Sequence, residues 1–323
     1  DIDLSANFLG AMTTITARTG IGSSDSLDTS IDSLIATNAV SGNIGIHETA
    51  GLSIDGTGVR TLGGNGSISI DVDSGNLSVN SVVTADGSGN VTLNADAGTI
   101  TLGSVVSSTT GNLVISGDVV NQNANILTGG TGTIGVTADN GSITMTDGTT
   151  STTTTGTIDY SATVNVSLSL LSSGIGGGSI SVTADSDSNG TGAILDNTAA
   201  ENANLVTTTT ATLNAAQGIG IAGLADIDTM IGTLIASNTA SGTIVIEELA
   251  AGGDIALGAV SNGNRDVTIT AAGGAITDGN AAVLNVTAGV LSLNAANGIG
   301  SGNAIEISVN SLNATNTTTG NIE

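Results

Sequence analysis

A glycine repeated at nearly constant spacing constrains this chain more than any other sequence feature. Between Gly20 and Gly178, a glycine precedes a short alternation of apolar and small polar residues every 21 to 24 residues. These glycines are Gly20, Gly42, Gly66, Gly89, Gly111, Gly132, Gly156 and Gly178. We call this series the glycine ladder. It resumes at Gly220, and the residues from Arg265 onwards repeat the sequence that begins at Gly89. A fixed period of about 20 to 50 residues is typical of repeat proteins whose units stack on their neighbours.

Each period contains two or three strand-length runs bounded by turn residues. The segment Gly89–Ser116 reads GNVTLNADAGTITLGSVVSSTTGNLVIS, in which Val91 and Leu93 alternate with polar residues. Alternation with a period of two predicts strands, and no window shows the sustained 3.6-residue apolar stripe of a helix. The sequence therefore predicts an all-β fold: one parallel β-helix, or β-solenoid, over residues 1–323, right-handed by default, with about 13–14 rungs of roughly 22 residues.

The alternation also predicts which side chains point into the solenoid. We expect the inward positions to include Ile68, Ile70, Val91, Leu93, Ile100, Leu102, Leu113, Ile115, Ile180, Val182, Ile244, Ile246, Val267 and Ile269. The bounding Gly, Asn and Asp residues are predicted at corners, where glycine adopts a left-handed conformation at little cost. The segment 185–205 interrupts the ladder and is predicted to be an irregular acidic loop.

The composition fits this fold and disfavours others. The chain has no Pro, no Cys and no Trp, and its aromatic residues are Phe8 and Tyr160. An immunoglobulin-type sandwich normally centres on a buried aromatic residue, so it is disfavoured. Hydrophobic residues make up 39% of the chain, which is enough for a thin continuous core and argues against disorder. The absence of Cys is compatible with an extracellular protein stabilised by stacking instead of disulfides.

The charge balance restricts the partners of the chain. Three Arg and no Lys stand against 28 acidic residues, which gives a net charge of −25. Nucleic acids and anionic membrane surfaces require clustered positive charge, so both are excluded as partners. No run of 18 apolar residues occurs, so no membrane span is predicted. The chain begins at Asp1 instead of a methionine, and we expect Asp1 to open a mature or excised segment.

The most specific local motif is an acidic stretch, DSDSNGTGAILD, from Asp185 to Asp196. Its spacing matches the oxygen-ligand pattern of calcium-binding loops, although no helices flank it. The predicted calcium ligands are Asp185, Asp187, Asn189, Thr191 through its carbonyl, and Asp196. An acidic, solvated turn is the alternative interpretation of the same residues. His47 is the one histidine of the chain, and we expect it to form a surface pair with Glu48.

Six sequons could carry N-linked glycans if the source cell glycosylates. Their acceptor residues are Asn76, Asn90, Asn165, Asn285, Asn313 and Asn316.

The sequence does not favour an enzyme. Polysaccharide lyases need a basic residue to abstract a proton and cationic side chains to hold carboxylates, and this chain has three scattered Arg. Carboxylate-based hydrolysis remains open on acid counts alone, but two aromatic residues provide little for a sugar platform. We therefore expect no catalytic residues.

Several rungs resemble those of a known class of surface protein. The rungs GNIGI, GSISI, GNLSV and GTITL, which begin at Gly42, Gly66, Gly75 and Gly98, resemble the β-helical repeats of filamentous-haemagglutinin-like adhesins and other giant surface proteins. The resemblance covers the whole chain in repeat style. It implies an extracellular or cell-surface protein that serves as a shaft.

Two functions follow as expectations. The first is a structural building block of an extracellular filament, sheath or adhesin shaft, and the alternative is a ligand-binding adhesin module. The opening Asp1–Leu4 alternates like a strand, and Gly320–Glu323 stops part-way through a rung that Gly42–Ile46 shows complete. We therefore expect end-to-end self-assembly, in which a further copy or the next stretch of a longer chain completes the last rung.

Overall fold

The fold is a parallel β-solenoid of about 13 turns, with successive turns about 23 residues apart, as the computed structural model shows. The structure describes residues 6–223, 225–249 and 253–323. The opening strand expected at Asp1–Leu4 lies outside the described residues. Within them the chain forms parallel strands and no helix, which confirms the predicted all-β class. The right-handed sense stays a prediction.

The chain divides into two compact units, Asp1–Asp159 and Tyr160–Glu323. The strands of the first unit are β1 (Phe8–Ala17), β2 (Leu27–Asn38), β3 (Ile44–Glu48), β4 (Leu52–Thr61), β5 (Ile68–Val72), β6 (Leu77–Val79), β7 (Val83–Ala85), β8 (Val91–Leu102), β9 (Val106–Ser108), β10 (Leu113–Gln122), β11 (Ile126–Leu127), β12 (Ile134–Ala138), β13 (Ile143–Met145) and β14 (Thr150–Thr152). The division falls within β15 (Ile158–Ala162). The strands that follow are β16 (Val166–Leu168), β17 (Leu170–Gly174), β18 (Ile180–Ala184), β19 (Ile194–Asp196), β20 (Leu205–Ala215), β21 (Ile227–Asn238), β22 (Ile244–Glu248), β23 (Ile255–Ser261), β24 (Val267–Ala271), β25 (Ile276–Asp278), β26 (Val286–Ala295) and β27 (Ile307–Asn316).

Three columns of stacked side chains build the core of the first unit. One column is Ile44, Ile68, Val91, Leu113 and Ile134, each paired in parallel register with the next. A second is Leu52, Leu77, Ile100, Val120 and Ile143. A third is Val59, Val83, Val106, Ile126 and Ser151. Apart from Ser151, the residues of these columns are aliphatic and of similar size, and they pack on one another from turn to turn. This explains why a core this narrow needs few aromatic rings.

The second unit uses the same register, and it corrects the expectation of one irregular loop at 185–205. In that segment β19 forms because Ile194 is fully buried, pairs with Val166 and bridges Ile219. The column then continues from Ile219 to Ile244 and Val267. The interruption therefore consists of two shorter loops, 185–193 and 197–204, separated by a strand.

The predicted inward positions are confirmed. Every one of the fourteen side chains proposed from the alternation is at most 1% exposed. Burying an aliphatic side chain of this size stabilises a fold by about 1.5–3 kcal/mol, so the alternation accounts for much of the driving force.

The glycine ladder has a different physical cause from the one expected. Of its members, Gly66, Gly89, Gly111, Gly132 and Gly156 do not have the positive φ that a left-handed corner would require. Instead, a Cβ at each of these positions would overlap the backbone carbonyl oxygen of the preceding ladder glycine. Glycine is needed because adjacent turns approach closely at this corner, so the left-handed explanation was wrong for these five residues.

Asparagine side chains hold other corners by bonding to the backbone. The Asn38 Oδ1 atom accepts the Gly20 N–H at 3.0 Å, and the Asn38 side-chain NH₂ group donates to the Ser41 and Gly42 carbonyls. Asn238 and Asn316 repeat this arrangement in the second unit. The bonds satisfy backbone groups that the ladder leaves unpaired where a strand ends.

Candidate metal centre

The predicted calcium loop is closed by hydrogen bonds within itself. The Asp185 Oδ1 atom accepts the Gly190 N–H at 3.0 Å and the Thr191 N–H at 3.3 Å. The Asn189 Oδ1 atom accepts the Thr191 N–H at 2.9 Å, while the Asn189 amide group donates to Asp187 Oδ2 at 2.7 Å. These contacts describe an acidic turn in which Asp185 Oδ1, Asp187 Oδ2 and Asn189 Oδ1 each accept a hydrogen bond from within the turn.

Asp196, the remaining predicted ligand, faces a different set of partners. It ends β19, and its Oδ1 atom accepts the Thr198 N–H at 2.9 Å, the Thr198 hydroxyl at 2.8 Å and the Asn204 amide at 2.7 Å. Asp185, Asp187 and Asp196 do not converge on a common point in the described residues. Calcium binding by this loop stays a prediction.

Four other carboxylates do converge, in the second unit. Glu201, Asp226, Asp228 and Glu247 each place one carboxylate oxygen so that all four atoms lie within 4.8 Å of one another. We call these four residues the acidic cluster. Asp228 in β21 and Glu247 in β22 are directly paired by the parallel register. Asp226 immediately precedes β21, and Glu201 comes from the loop between β19 and β20.

The two aspartates of the acidic cluster are buried without partners for part of each carboxylate. Asp228 is 1% exposed, and Asp226 is 8% exposed. The Oδ1 atom of each is buried and has no hydrogen-bond partner. No Arg or His of the described residues forms an ion pair with the four carboxylates. Burying ionised oxygens in this way is costly unless a positive charge compensates it.

The crowding shifts the ionisation of both aspartates. Burial raises the pKa of Asp226 to about 6, and repulsion from Glu201, Glu247 and Asp196 adds to the shift. Burial likewise raises the pKa of Asp228 to about 7, again with repulsion from the neighbouring carboxylates. Asp196 therefore lies close enough to the acidic cluster to contribute to its negative potential.

The first unit carries a neutralised version of the same position. Asp28 and His47 are paired in register as Asp228 and Glu247 are. The His47 Nδ1 atom lies 2.8 Å from Asp28 Oδ1, and Nε2 lies 2.8 Å from Asp73 Oδ1. The hydrogen bond to Asp28, supported by Asp73, raises the pKa of His47. Both ring nitrogens lie at hydrogen-bond distance from a carboxylate, and ligand atoms of His47, Asp71 and Asp73 lie within 4.8 Å of one another.

The expected surface pair of His47 and Glu48 was wrong. Glu48 is fully buried, and its Oε2 atom accepts the Thr29 hydroxyl at 2.7 Å and the Ile31 N–H at 3.0 Å. The two residues are adjacent in β3, where successive side chains point to opposite faces. Glu248 repeats the contacts of Glu48 in the second unit.

A groove of about 500 Å³ in the second unit has mainly apolar walls. Ile175, Val206, Met230 and Ile231 supply its apolar lining, and Glu248 and Asp254 contribute acidic groups. Ile175 is 93% exposed, and no described residue covers it. The groove therefore offers a mainly apolar surface with room for a ligand.

The sequons differ in their access to solvent. Asn76, Asn90 and Asn313 are exposed. Asn285 is fully buried, and its amide group donates to the Leu257 carbonyl and to Asp278 Oδ1. The nitrogen of Asn285 is therefore not presented to solvent in the folded protein, and glycans at the other sequons stay predictions.

The comparisons with known proteins give no relative from which a function could be carried over. The chain matches no protein-family model, no curated protein and no solved structure. The class that the fold defines is a repeat protein of the parallel β-solenoid type. Within the described residues, no helix has the length and apolar character needed to cross a bilayer.

Proposed function

We propose that this chain is a structural building block of an extracellular filament, sheath or adhesin shaft that extends by stacking β-strands end to end. The observation that carries the proposal is the open edge of each terminal strand in the described chain. β1 has β2 as its ladder partner, and β27 has β26. An unpaired strand edge presents backbone donors and acceptors to which a further strand can bind.

The core columns also reach the surface at β27. Leu312 stands in register with Leu291, which is fully buried, yet Leu312 itself is 45% exposed. Ile322 bridges Ile299 and is 50% exposed, whereas Ile299 is 2% exposed. One more parallel turn, from a second copy or from a longer chain, would cover both side chains and continue both columns.

The net charge of −25 favours thin assemblies over bulky ones. Lateral contact between two such surfaces is opposed by repulsion, while backbone pairing at the ends is not sequence-dependent. The same charge is compatible with a soluble surface outside the cell, and the resemblance of the rungs to those of giant surface proteins supports that location.

Sedimentation velocity at increasing protein concentration tests this proposal. We expect the wild-type chain to form species heavier than the 30.9 kDa monomer, with the fraction rising with concentration. Leu312→Lys places a charge on the open end of the core and should abolish association. The matched control is Val114→Lys, because Val114 is 46% exposed, as Leu312 is 45% exposed, but lies in β10, whose two edges are both paired within the chain. A wild-type chain that stays monomeric at all concentrations, with β1 and β27 ordered, contradicts the proposal.

The apolar groove favours one alternative, a ligand-binding module of a cell-surface protein. Its walls combine exposed Ile175 with Val206 and Met230, a surface suited to an apolar ligand. A fluorescent apolar probe should then bind, and Met230→Glu should remove binding without changing the sedimentation behaviour. No binding by the wild-type chain leaves the structural role as the better account.

A further inference from the structure

We propose that Glu201, Asp226, Asp228 and Glu247 form a binding site for a hard divalent cation, with Ca²⁺ as the best match. Nothing in this inference depends on end-to-end assembly. It also concerns residues other than the acidic turn at Asp185–Asn189, so the two candidate calcium sites are tested separately.

The geometry of the acidic cluster fits a calcium coordination sphere. Four carboxylate oxygens from four residues lie within 4.8 Å of one another. Ligands bound to Ca²⁺ at about 2.4 Å are separated by at most about 4.8 Å, since that is twice the bond length. Carboxylate oxygens are the ligands that Ca²⁺ and related hard cations prefer, and the set contains no nitrogen or sulfur ligand.

A buried, unpartnered oxygen supplies independent support. Asp228 is 1% exposed, and its Oδ1 atom has no hydrogen-bond partner in a solenoid that otherwise satisfies its buried polar groups with few exceptions. A carboxylate can remain ionised at such a position if a cation compensates its charge. Asp226 Oδ1 is also buried without a partner, so two residues of the cluster each hold a carboxylate oxygen that accepts no hydrogen bond. At the matching position of the first unit, Asp28 holds one such oxygen, Oδ2.

The first unit shows how the same position is neutralised without a metal. There, Asp28 is 3% exposed and is paired with His47, which supplies a positive charge when protonated. In the second unit Glu247 occupies the register position of His47, and Asp226 occupies the position of Ser26, two residues before the aspartate of the pair. These two differences remove the imidazole and add a carboxylate. A bound divalent cation would offset part of the negative charge that results.

The site would tie together three segments that belong to successive turns. Glu201 comes from the loop 197–204, Asp226 and Asp228 from the start of β21, and Glu247 from β22. Asn204 in the same loop already bonds to the Asp228 backbone, donating its N–H to the Asp228 carbonyl at 2.8 Å. Cation binding would therefore hold the loop against the turn that follows it and stabilise the folded state by linkage.

Calorimetric titration of the metal-free wild-type chain with CaCl₂ tests the site. We expect one saturable binding event and a rise in Tm when Ca²⁺ is present. Glu201→Gln and Glu247→Gln should each weaken Ca²⁺ binding at least tenfold, because each removes one charged ligand. Asp266→Asn removes an exposed carboxylate of the same unit that lies outside the acidic cluster, and this matched control should bind as wild type does. The proposal is overturned if wild type shows no saturable binding, or if the two glutamate variants bind Ca²⁺ as tightly as wild type.

Glu247→His gives a second readout that does not require a weakened protein. The substitution places an imidazole opposite Asp228, as His47 stands opposite Asp28 in the first unit. We expect the variant to melt at a higher temperature than wild type in EDTA, since repulsion is replaced by attraction, and to lose its response to Ca²⁺. A Ca²⁺-dependent rise in Tm as large as that of wild type would overturn the assignment of Glu247 as a ligand.

Discussion

Five ladder glycines have a role that is set by the neighbouring turn and not by a positive φ angle: Gly66, Gly89, Gly111, Gly132 and Gly156. At Gly111 the space that a Cβ would need is occupied by the Gly89 carbonyl group and by the Ser108 side chain. The backbone cannot move away without lengthening the ladder bonds on either side. A side chain as small as a methyl group is therefore excluded at these five positions.

Gly111→Ala should destabilise the protein by about 3 kcal/mol, a typical cost of forcing extra volume into a packed interior. Gly135→Ala is the matched control, since Gly135 lies in β12 with no atom within 4 Å of the added Cβ. We expect the free energy of unfolding of the control to change by less than about 1 kcal/mol. Chemical denaturation of both variants measures the difference, and equal stabilities would refute the close-approach explanation.

His47 makes the stability of the first unit depend on pH. The groups facing it are Asp28 from β2, Asp71 at the paired position of β5, and Asp73 just after β5. Its pKa is raised in the folded state, so the protonated form is bound more tightly there than in the unfolded chain. The stabilisation is fully present below the unfolded pKa of about 6.5 and is lost as pH rises through the folded pKa.

His47→Gln should remove this pH dependence and cost about 3 kcal/mol at low pH, because Asp28 is left buried without its partner. Thermal melting of wild type and variant between pH 5 and 9 measures both effects. The difference in stability between them should be largest at the acid end and shrink as pH rises. A difference that is constant over this range would show that the imidazole does not titrate in contact with Asp28.

At the scale of elements, the corners are fixed by side chains that replace missing backbone bonds. Asn238 is 3% exposed, and it accepts the Gly218 N–H at 2.9 Å while donating to the Ser241 carbonyl at 2.7 Å and to Asn262 Oδ1 at 2.8 Å. Each lost bond leaves a buried group without a partner.

Asn238→Ala should therefore cost about 2–3 kcal/mol, the penalty for unsatisfied buried groups at one corner. The adjacent exposed residue gives the control Thr239→Ala, whose free energy of unfolding should stay within about 0.5 kcal/mol of wild type. Urea denaturation compares the two. If both variants lose the same stability, the corner is not held by the Asn238 side chain.

Strand alternation was sufficient to predict the fold and core from sequence, because side-chain direction in a strand depends on local period alone. The alternation identified Ile68 and Val91 as inward-pointing, and in the structure the two residues are paired in parallel register on neighbouring turns. The acidic cluster could not be predicted in this way. Its members come from segments whose pairing depends on repeat lengths, and these vary between turns. One sequence signal pointed to the cluster. The segments around His47 and Glu247 are similar, and the position that holds the imidazole of His47 in one holds the carboxylate of Glu247 in the other.

At the scale of the whole molecule, the proposed function rests on an acidic surface, on edges of β1 and β27 that no described strand pairs, and on core columns that reach solvent at Leu312 and Ile322. The first feature opposes sideways contact, and the other two favour one further turn of the same parallel fold. Together they predict growth along one direction. Binding of a cation at the acidic cluster would strengthen a unit of such an assembly without being needed for its growth.

X-ray diffraction from aligned, concentrated protein tests the central claim most directly. Parallel strands stacked turn upon turn and continued from copy to copy predict a sharp reflection at about 4.8 Å along the fibre axis, the spacing between neighbouring strands. Leu312→Lys should prevent fibres from forming, while Val114→Lys should give the same pattern as wild type. An isotropic solution of single chains, or fibres whose 4.8 Å reflection lies across the axis, would contradict end-to-end stacking.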